Sequence, residues 1–307
     1  MSDTFFDLES CLVDFGTGCS ASHSSGQRLE KIGGILVRRP LLQQNLPACH
    51  SPAVWKDVTA EYEYDDQERG KWIFRQPPPD QWRVNVVLSE KTGKYIRLLV
   101  RPSPSGQIGF FLEQVDQWKW LYQYTKPKTS ILSLFAHSGA ATLSLALAGA
   151  HVTHVDASKQ AMTLARSNAK ESNLGEAPIR WICDDVRSFV AREIRRGSIY
   201  NGVVLDPPSW GHGPKGQSFS IHNDLAPLLD DLAKLFRGGR QDPSSALSGP
   251  VLLTCHSPGW HHVRLRESLM QTLGLDGCGS GRLDCTDAAG RILNLGDYAR
   301  WVSSGRM

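Results

Sequence analysis

Four carboxylates stand where they can do chemistry: Asp156, the adjacent Asp184 and Asp185, and Asp206 in the run Asp206-Pro207-Pro208. A carboxylate accepts hydrogen bonds from sugar hydroxyls or from an exocyclic amine, and it can also cap a helix. Asp156 closes the apolar run His151 to Asp156, about as far after Gly139 as doubly wound nucleotide sites place a carboxylate for ribose hydroxyls. Its alternative is the N-cap of the following helix. Asp184 and Asp185 follow a third apolar run, and side by side they point in different directions. One can accept from an adenine amine while the other caps the helix from Val186.

Asp206-Pro207-Pro208 is the sharpest signal, because two prolines cannot continue a strand ladder. They stiffen the backbone so that Asp206 and the Pro207 carbonyl face the carboxyl edge of the sheet, where open α/β sheets bind ligands. The loop Ser209 to Gly216 adds an aromatic, Trp210, and a cation, Lys215, so it can fold over a base or be plain surface. The turn Ala136-His137-Ser138-Gly139-Ala140-Ala141-Thr142-Leu143 has small residues that let a backbone approach a ligand, with the N–H groups of a helix start beside them. Tight helix–strand packing explains the same residues. With Gly139 alone, the turn is not the G-x-G-x-x-G fingerprint of dinucleotide folds. Further on, Leu252-Leu253-Thr254-Cys255-His256-Ser257-Pro258-Gly259 carries a thiol beside an imidazole. Strand neighbours point to opposite faces, so Cys255 and Ser257 share a face and His256 does not. An inert, buried Cys255 is the alternative to a nucleophile.

The elements that must hold these residues follow from periodicity. Candidate strands cover 131–136, 151–156, 178–183, 201–206 and 250–256, with helices at about 140–148, 158–171, 186–196, 222–237 and 262–273. The alternation predicts a Rossmann-like, doubly wound α/β sheet with helices on both faces. Short strands at Arg282–Cys285 and Tyr298–Val302 are expected to close it as an antiparallel hairpin. Before it, a helix is expected over Val115–Tyr124. Residues 1–26 are turn-rich and expected to be loosely held. Residues 27–104 alternate as a small β-rich domain, and 105–307 form the large one.

The chain of 307 residues carries a net charge of +3, mildly basic, which permits a nucleic-acid partner without arguing for one. Its seven cysteines lack a C-x-x-C pair, so neither a disulfide framework nor a zinc site is expected. No metal is expected. No apolar run reaches the length of a membrane span, and the N-terminus lacks the marks of a secretory signal, so an intracellular, cytoplasmic protein is expected.

In order along the chain, Gly109-Phe110-Phe111-Leu112-Glu113-Gln114, Leu134 to Leu143, His154-Val155-Asp156-Ala157-Ser158, Ala165-Arg166-Ser167-Asn168-Ala169, Asp185-Val186 and Asp206-Pro207-Pro208-Ser209 resemble a class I S-adenosylmethionine-dependent methyltransferase. More narrowly they resemble the bacterial family that methylates cytosine C5 in large-subunit ribosomal RNA, over roughly 105 to 301. The N-terminal β region resembles a shorter branch of it, without the RNA-binding module of longer members.

The resemblance implies S-adenosylmethionine as cofactor and ribosomal RNA as partner. It assigns Ser138-Gly139-Ala140 to the methionine part, Asp156 to the ribose and Asp185 to the adenine. Phe135, Ala157, Asn168 and Gln114 line the same site, with Asp206 at its boundary. Asp206 and Pro207 face the target base, and Pro208, Trp210 and Lys215 meet the substrate. Cytosine C5 is a poor nucleophile and needs a thiolate at C6, then a base for the C5 proton. The family's cysteine falls on Ser257 here, so Cys255, two residues earlier and about 7 Å away along a strand, is the candidate nucleophile. The competing readings are an NAD-dependent dehydrogenase, which leaves Asp206-Pro207-Pro208 unexplained, a methyltransferase on another acceptor, and a fold of this type that only binds RNA.

Overall fold

The computed structural model describes residues 10–18, 26–41, 46–64, 70–79, 81–213, 216–237 and 247–303. The chain divides into two compact units. The first takes Met1–Val86, Arg97–Glu113 and Asp284–Leu293, and the second takes Val87–Ile96, Gln114–Leu283 and Asn294–Met307.

The first unit is built on a sheet of five strands in chain order: β1 (Cys11–Gly16), β2 (Gln27–Ile32), β3 (Ile35–Pro40), β4 (Ala60–Tyr64) and β5 (Gly70–Phe74). A short helix, α1 (Pro52–Lys56), precedes β4. β6 (Arg83–Ser89) and β7 (Lys94–Leu99) form a separate two-stranded ribbon. The expected loose start is corrected at β1, which pairs antiparallel with β2. Its Leu12, Asp14 and Phe15 are buried, and a register shift between Leu12 and Asp14 breaks the period-2 pattern that would have marked a strand.

The second unit opens with a 3-10 turn (Leu112–Gln114 crosses into it) and α2 (Val115–Tyr124). Strands and helices then alternate as β8 (Ser130–Leu134), α3 (Ala140–Leu147), β9 (His151–Asp156), α4 (Lys159–Glu171), β10 (Ile179–Cys183), α5 (Val186–Arg196) and β11 (Gly202–Leu205). The small ribbon β12 (Trp210–His212) and β13 (Ser218–Ser220) leads to α6 (Ile221–Arg237), β14 (Val251–Cys255), α7 (His262–Leu273), β15 (Gly279–Thr286) and β16 (Ile292–Trp301). The expected α/β doubly wound sheet is present, in the order β10-β9-β8-β11-β14-β16-β15. β10, β9, β8, β11 and β14 run parallel, and β16 pairs antiparallel with β14. The closing hairpin is longer than its sequence suggested, because in β15 only alternate residues such as Leu283 and Cys285 are buried and the rest read as loop.

β11 and β14 are buried at every position, as strands covered by helices on both faces must be. On α6, Leu225, Leu228, Leu229, Leu232 and Phe236 recur at helical spacing and enter a core shared with Val203, Leu205 and Leu253. Burial of each such side chain contributes roughly 1.5–3 kcal/mol. The consequence for function lies in the strand order. The chain winds from β8 outward through β9 and β10, then returns to place β11 on the other side of β8. The carboxyl ends of β8 and β11 therefore flank the switch point, where such sheets leave a crevice. Among the described residues no helix is long and apolar enough to cross a membrane.

Candidate active site

The turn after β8 is held in an unusual backbone. Phe135 (φ 53°) and His137 (φ 44°) lie in the left-handed region together with Gly139 (φ 84°). Such conformations at non-glycine residues cost energy and persist only where the surroundings enforce them. Here the enforcing contacts come from residues expected to touch a ligand. Asp156 Oδ2 accepts from the His137 N–H at 2.8 Å, and Asn168 Nδ2 donates to the Ser138 carbonyl at 2.9 Å. Asn168 is fully buried, and this bond holds the turn.

Asp156 Oδ1 accepts from the Ser158 N–H at 2.8 Å. The cap of α4 is Ser158, whose Oγ accepts from Ala161, so the helix-cap alternative for Asp156 is not realised. Two backbone bonds leave a carboxylate with about two acceptor positions for a ligand. A Cβ on Gly139 would stand 3.0 Å from the Ala165 Cβ, so the left-handed φ and the close α3–α4 approach both select glycine. Gly139→Ala is expected to destabilise the fold by about 1–2 kcal/mol, read as a lower urea midpoint. Ala140 starts α3, Ala157 is half-buried beside Asp156, and the Phe135 ring packs on Phe219 at 4.9 Å. Behind the turn, burial pushes His154 down to about 3, so it is a neutral core residue bonded to Thr142. Burial also lowers His137, against the opposing pull of Asp156 and Asp206.

After β10 the two acids divide. Asp185, 5% exposed, caps α5 by accepting from Ser188 at 2.9 Å, with Arg187 3.5 Å from its other oxygen. Asp184 accepts from the Asp185 N–H and pairs with Arg192. The cap is thus the very residue that the resemblance assigns to adenine, with one oxygen accepting from Ser188 and the other facing Arg187.

At the end of β11, Asp206 is the hub of a polar cluster. Its Oδ1 accepts from Thr254 Oγ1 at 2.6 Å, and its Oδ2 from Gln114 Nε2 at 3.3 Å. The same Gln114 nitrogen lies 3.2 Å from His256 Nε2, which is 3.6 Å from Asp206 Oδ1. His256 Nδ1 lies 2.7 Å from the Leu295 carbonyl. Pro207 is buried, whereas Pro208 and Trp210 are exposed. Ser209 Oγ and Ser257 Oγ are 2.6 Å apart. Lys215 lies outside the described residues.

His256 is the member that strand alternation set aside. Alternation itself holds, since Cys255 and Ser257 are buried and His256 is exposed. But β14 stops at Cys255, and Leu205 is level with Leu253, so the first residue past the ladder reaches the edge beside Asp206. Cys255 is 1% exposed within the apolar core, its sulfur accepting from the Ser257 N–H at 3.3 Å. Burial pushes its thiol pKa up, and the carboxylates of Asp206 and Asp297 push the same way. An attacking thiolate needs the opposite surroundings.

The chain is 30% identical to an S-adenosylmethionine-dependent methyltransferase from Agrobacterium tumefaciens. The two structures agree with a TM-score of 0.81 over 95% of this chain and 90% of that one. The chain belongs to the S-adenosylmethionine-dependent methyltransferases. A Streptococcus mutans structure of 15% identity shares the fold, with a TM-score of 0.66. Ribosomal RNA large subunit methyltransferase I of Tolumonas auensis is 30% identical over 170 residues, 55% of this methyltransferase and 41% of that protein. The enzyme of the same name from Aeromonas hydrophila is 28% identical over 182 residues, 58% and 44% of the two chains. This methyltransferase thus spans less than half the length of those curated relatives. No family model matches it.

Proposed function

We propose that this methyltransferase binds S-adenosylmethionine at the carboxyl ends of β8, β9 and β10 and methylates a base of large-subunit ribosomal RNA. The observation that carries the reading is the union at the switch point of the Asp156-locked turn with Asp206 and its polar cluster. The fit to the cofactor rests on acceptor capacity left at Asp156, the helix start at Ala140 and the glycine at 139. Ser138, Gly139 and Ala140 would hold the methionine part, Asp156 the ribose and Asp185 the adenine. Phe135, Ala157 and Gln114 line the same edge. When bound, the cofactor supplies a methyl group on a positively charged sulfur. The residues of the chain align the acceptor, and alignment alone can contribute about 7–11 kcal/mol at best. Pro207 fixes Asp206, while Pro208 and Trp210 offer exposed surface to the substrate. Support for a ribosomal RNA acceptor comes from the names of the relatives in Tolumonas and Aeromonas.

Two measurements test this. Calorimetry with S-adenosylmethionine should give heat at one site. Mass spectrometry of nucleosides from ribosomal RNA of cells with and without the protein should find one methylated base missing in its absence. An unchanged nucleoside profile would remove ribosomal RNA as the acceptor. Within this reading, methylation at cytosine C5 requires Cys255 as the nucleophile. Its burial predicts that Cys255→Ala retains methyl transfer within about threefold in kcat, whereas loss of a true nucleophile costs orders of magnitude.

A further inference from the structure

Ser209, which follows Pro207-Pro208, fastens two later segments to the edge. Its carbonyl accepts from the Ile221 N–H at 3.2 Å, which fixes the start of α6, and its Oγ lies 2.6 Å from Ser257 Oγ. Beyond Ser257 the chain turns through Gly259 to Trp260, whose N–H donates to the Ser257 carbonyl at 3.2 Å, and then enters α7. His222, next to Ile221, has its ring 6.4 Å from the Trp260 ring. His222, Trp260 and the first turn of α7 are thereby tied to Ser209, which lies between Pro208 and Trp210, the exposed residues offered to the substrate.

Arg264, in that first turn, is exposed but held in place. Its guanidinium carbon is 3.9 Å from the Trp260 ring centroid, and its Nη1 donates to the Gly259 carbonyl at 3.0 Å. The ring quadrupole attracts a cation at that distance. Neither contact neutralises the charge, and among the described residues Arg264 pairs with no carboxylate. Arg187, by contrast, is 2.8 Å from Asp224 and 3.5 Å from Asp185. Trp260 is 4% exposed, and its Nε1 is buried without an acceptor among the described residues. Buried indoles usually give that N–H to a partner, so what this one contributes is its face. The result is an oriented, positively charged fork whose Nε and Nη2 have no acceptor among the described residues.

We infer that Arg264, held on Trp260, binds a backbone phosphate next to the target nucleotide, with the exposed His222 imidazole as a second donor. This rests on the proposed reading as a ribosomal RNA base methyltransferase. An RNA strand carries a phosphate on each side of a nucleotide, so a base seated at the edge brings phosphates to this surface. A phosphate matches the guanidinium fork in shape and in sign. The contact fixes the register of the strand without reading its sequence. It is made alike before and during methyl transfer, so its loss raises KM and leaves kcat nearly unchanged. Stacking on Trp260 orders the long side chain in advance, which reduces the entropy lost on binding.

The test uses the full chain, S-adenosylmethionine and large-subunit ribosomal RNA from cells lacking the protein. Arg264→Gln should raise KM for the RNA by about tenfold, with kcat within about twofold. It should also reduce the slope of log Kd against log salt concentration by about 0.7–0.9, the loss of one phosphate contact. Calorimetry should show unchanged S-adenosylmethionine affinity and so an intact fold. Arg264→Lys keeps the charge without the fork, so it should retain the salt slope and restore KM only in part. In a second measurement, single phosphates are ethylated in an RNA fragment that bears the target nucleotide. Ethylation at one phosphate flanking that nucleotide should weaken binding by the unsubstituted protein and add no further loss in Arg264→Gln. Unchanged KM and salt slope in Arg264→Gln, a fall in kcat alone, or equal ethylation losses in the two proteins would each overturn the inference and leave the ribosomal RNA reading standing. Absence of RNA methylation by the unsubstituted protein would overturn both.

Discussion

Replacing Asp156 with arginine is expected to weaken S-adenosylmethionine binding by at least about 100-fold, with the sheet still folded. The size follows from two losses. The carboxylate that would bind the ribose hydroxyls is removed, at about 1.5–3 kcal/mol for hydrogen bonds to a charged group. The His137 N–H also loses its acceptor, so the left-handed backbone at Phe135 and His137 is no longer enforced. The sheet survives because Asp156 ends β9 and is only half-buried, while Val152 and Val155 keep that strand in the core. Calorimetry gives the affinity and circular dichroism the fold. An unchanged dissociation constant would remove Asp156 from the site.

The largest effect on stability is expected in the first unit, at a residue unrelated to the reaction. Asp14 has no exposed surface, and its carboxylate accepts from the Phe15, Cys49 and His50 N–H groups, from Trp55 Nε1 and from Arg291. Arg291 also bonds Asp287 and the Pro47 and Phe15 carbonyls, with its guanidinium over the Phe15 ring. Asp14→Ala leaves the Phe15, Cys49, His50 and Trp55 donors without their acceptor and removes one of the two carboxylates that pair with Arg291, so a loss of about 3–5 kcal/mol is expected. Burial alone would raise the Asp14 pKa, but hydrogen bonds from His50, Cys49, Trp55 and Phe15 outweigh it and hold the group low. A depressed folded pKa contributes stability that is present above the unfolded value of about 3.9 and lost as pH falls through the folded one. Unfolding midpoints of the unsubstituted protein should therefore drop below about pH 4, and those of Asp14→Asn should drop less. Equal pH profiles would show that Asp14 carries no such linkage.

Much of the second unit was legible in the sequence. The helix expected at 186–196 is α5, that at 262–273 is α7, and the run 151–156 is β9. These segments are read from apolar spacing, which is local. β1 and the hairpin β15–β16 were harder. Asp14 breaks the apolar pattern of one, and burial of only alternate residues disguises the other. At the site, Asp156, Asp206 and the turn at Gly139 stand out by type and position, while the Asp14 network and His256 carry no local signal.

The sequence by itself determined the alternation of strand and helix and the placing of an acid after three of the strands, because periodicity and strand breaks are encoded within a few residues. Only the tertiary structure decided that β8 and β11 lie side by side, that Asn168 bonds the Ser138 carbonyl of the turn, and that His256 meets Asp206 while Cys255 is buried. The reason is physical: strand order and the end of β14 are set by pairing between segments far apart in the chain, and no local pattern records which ends will meet.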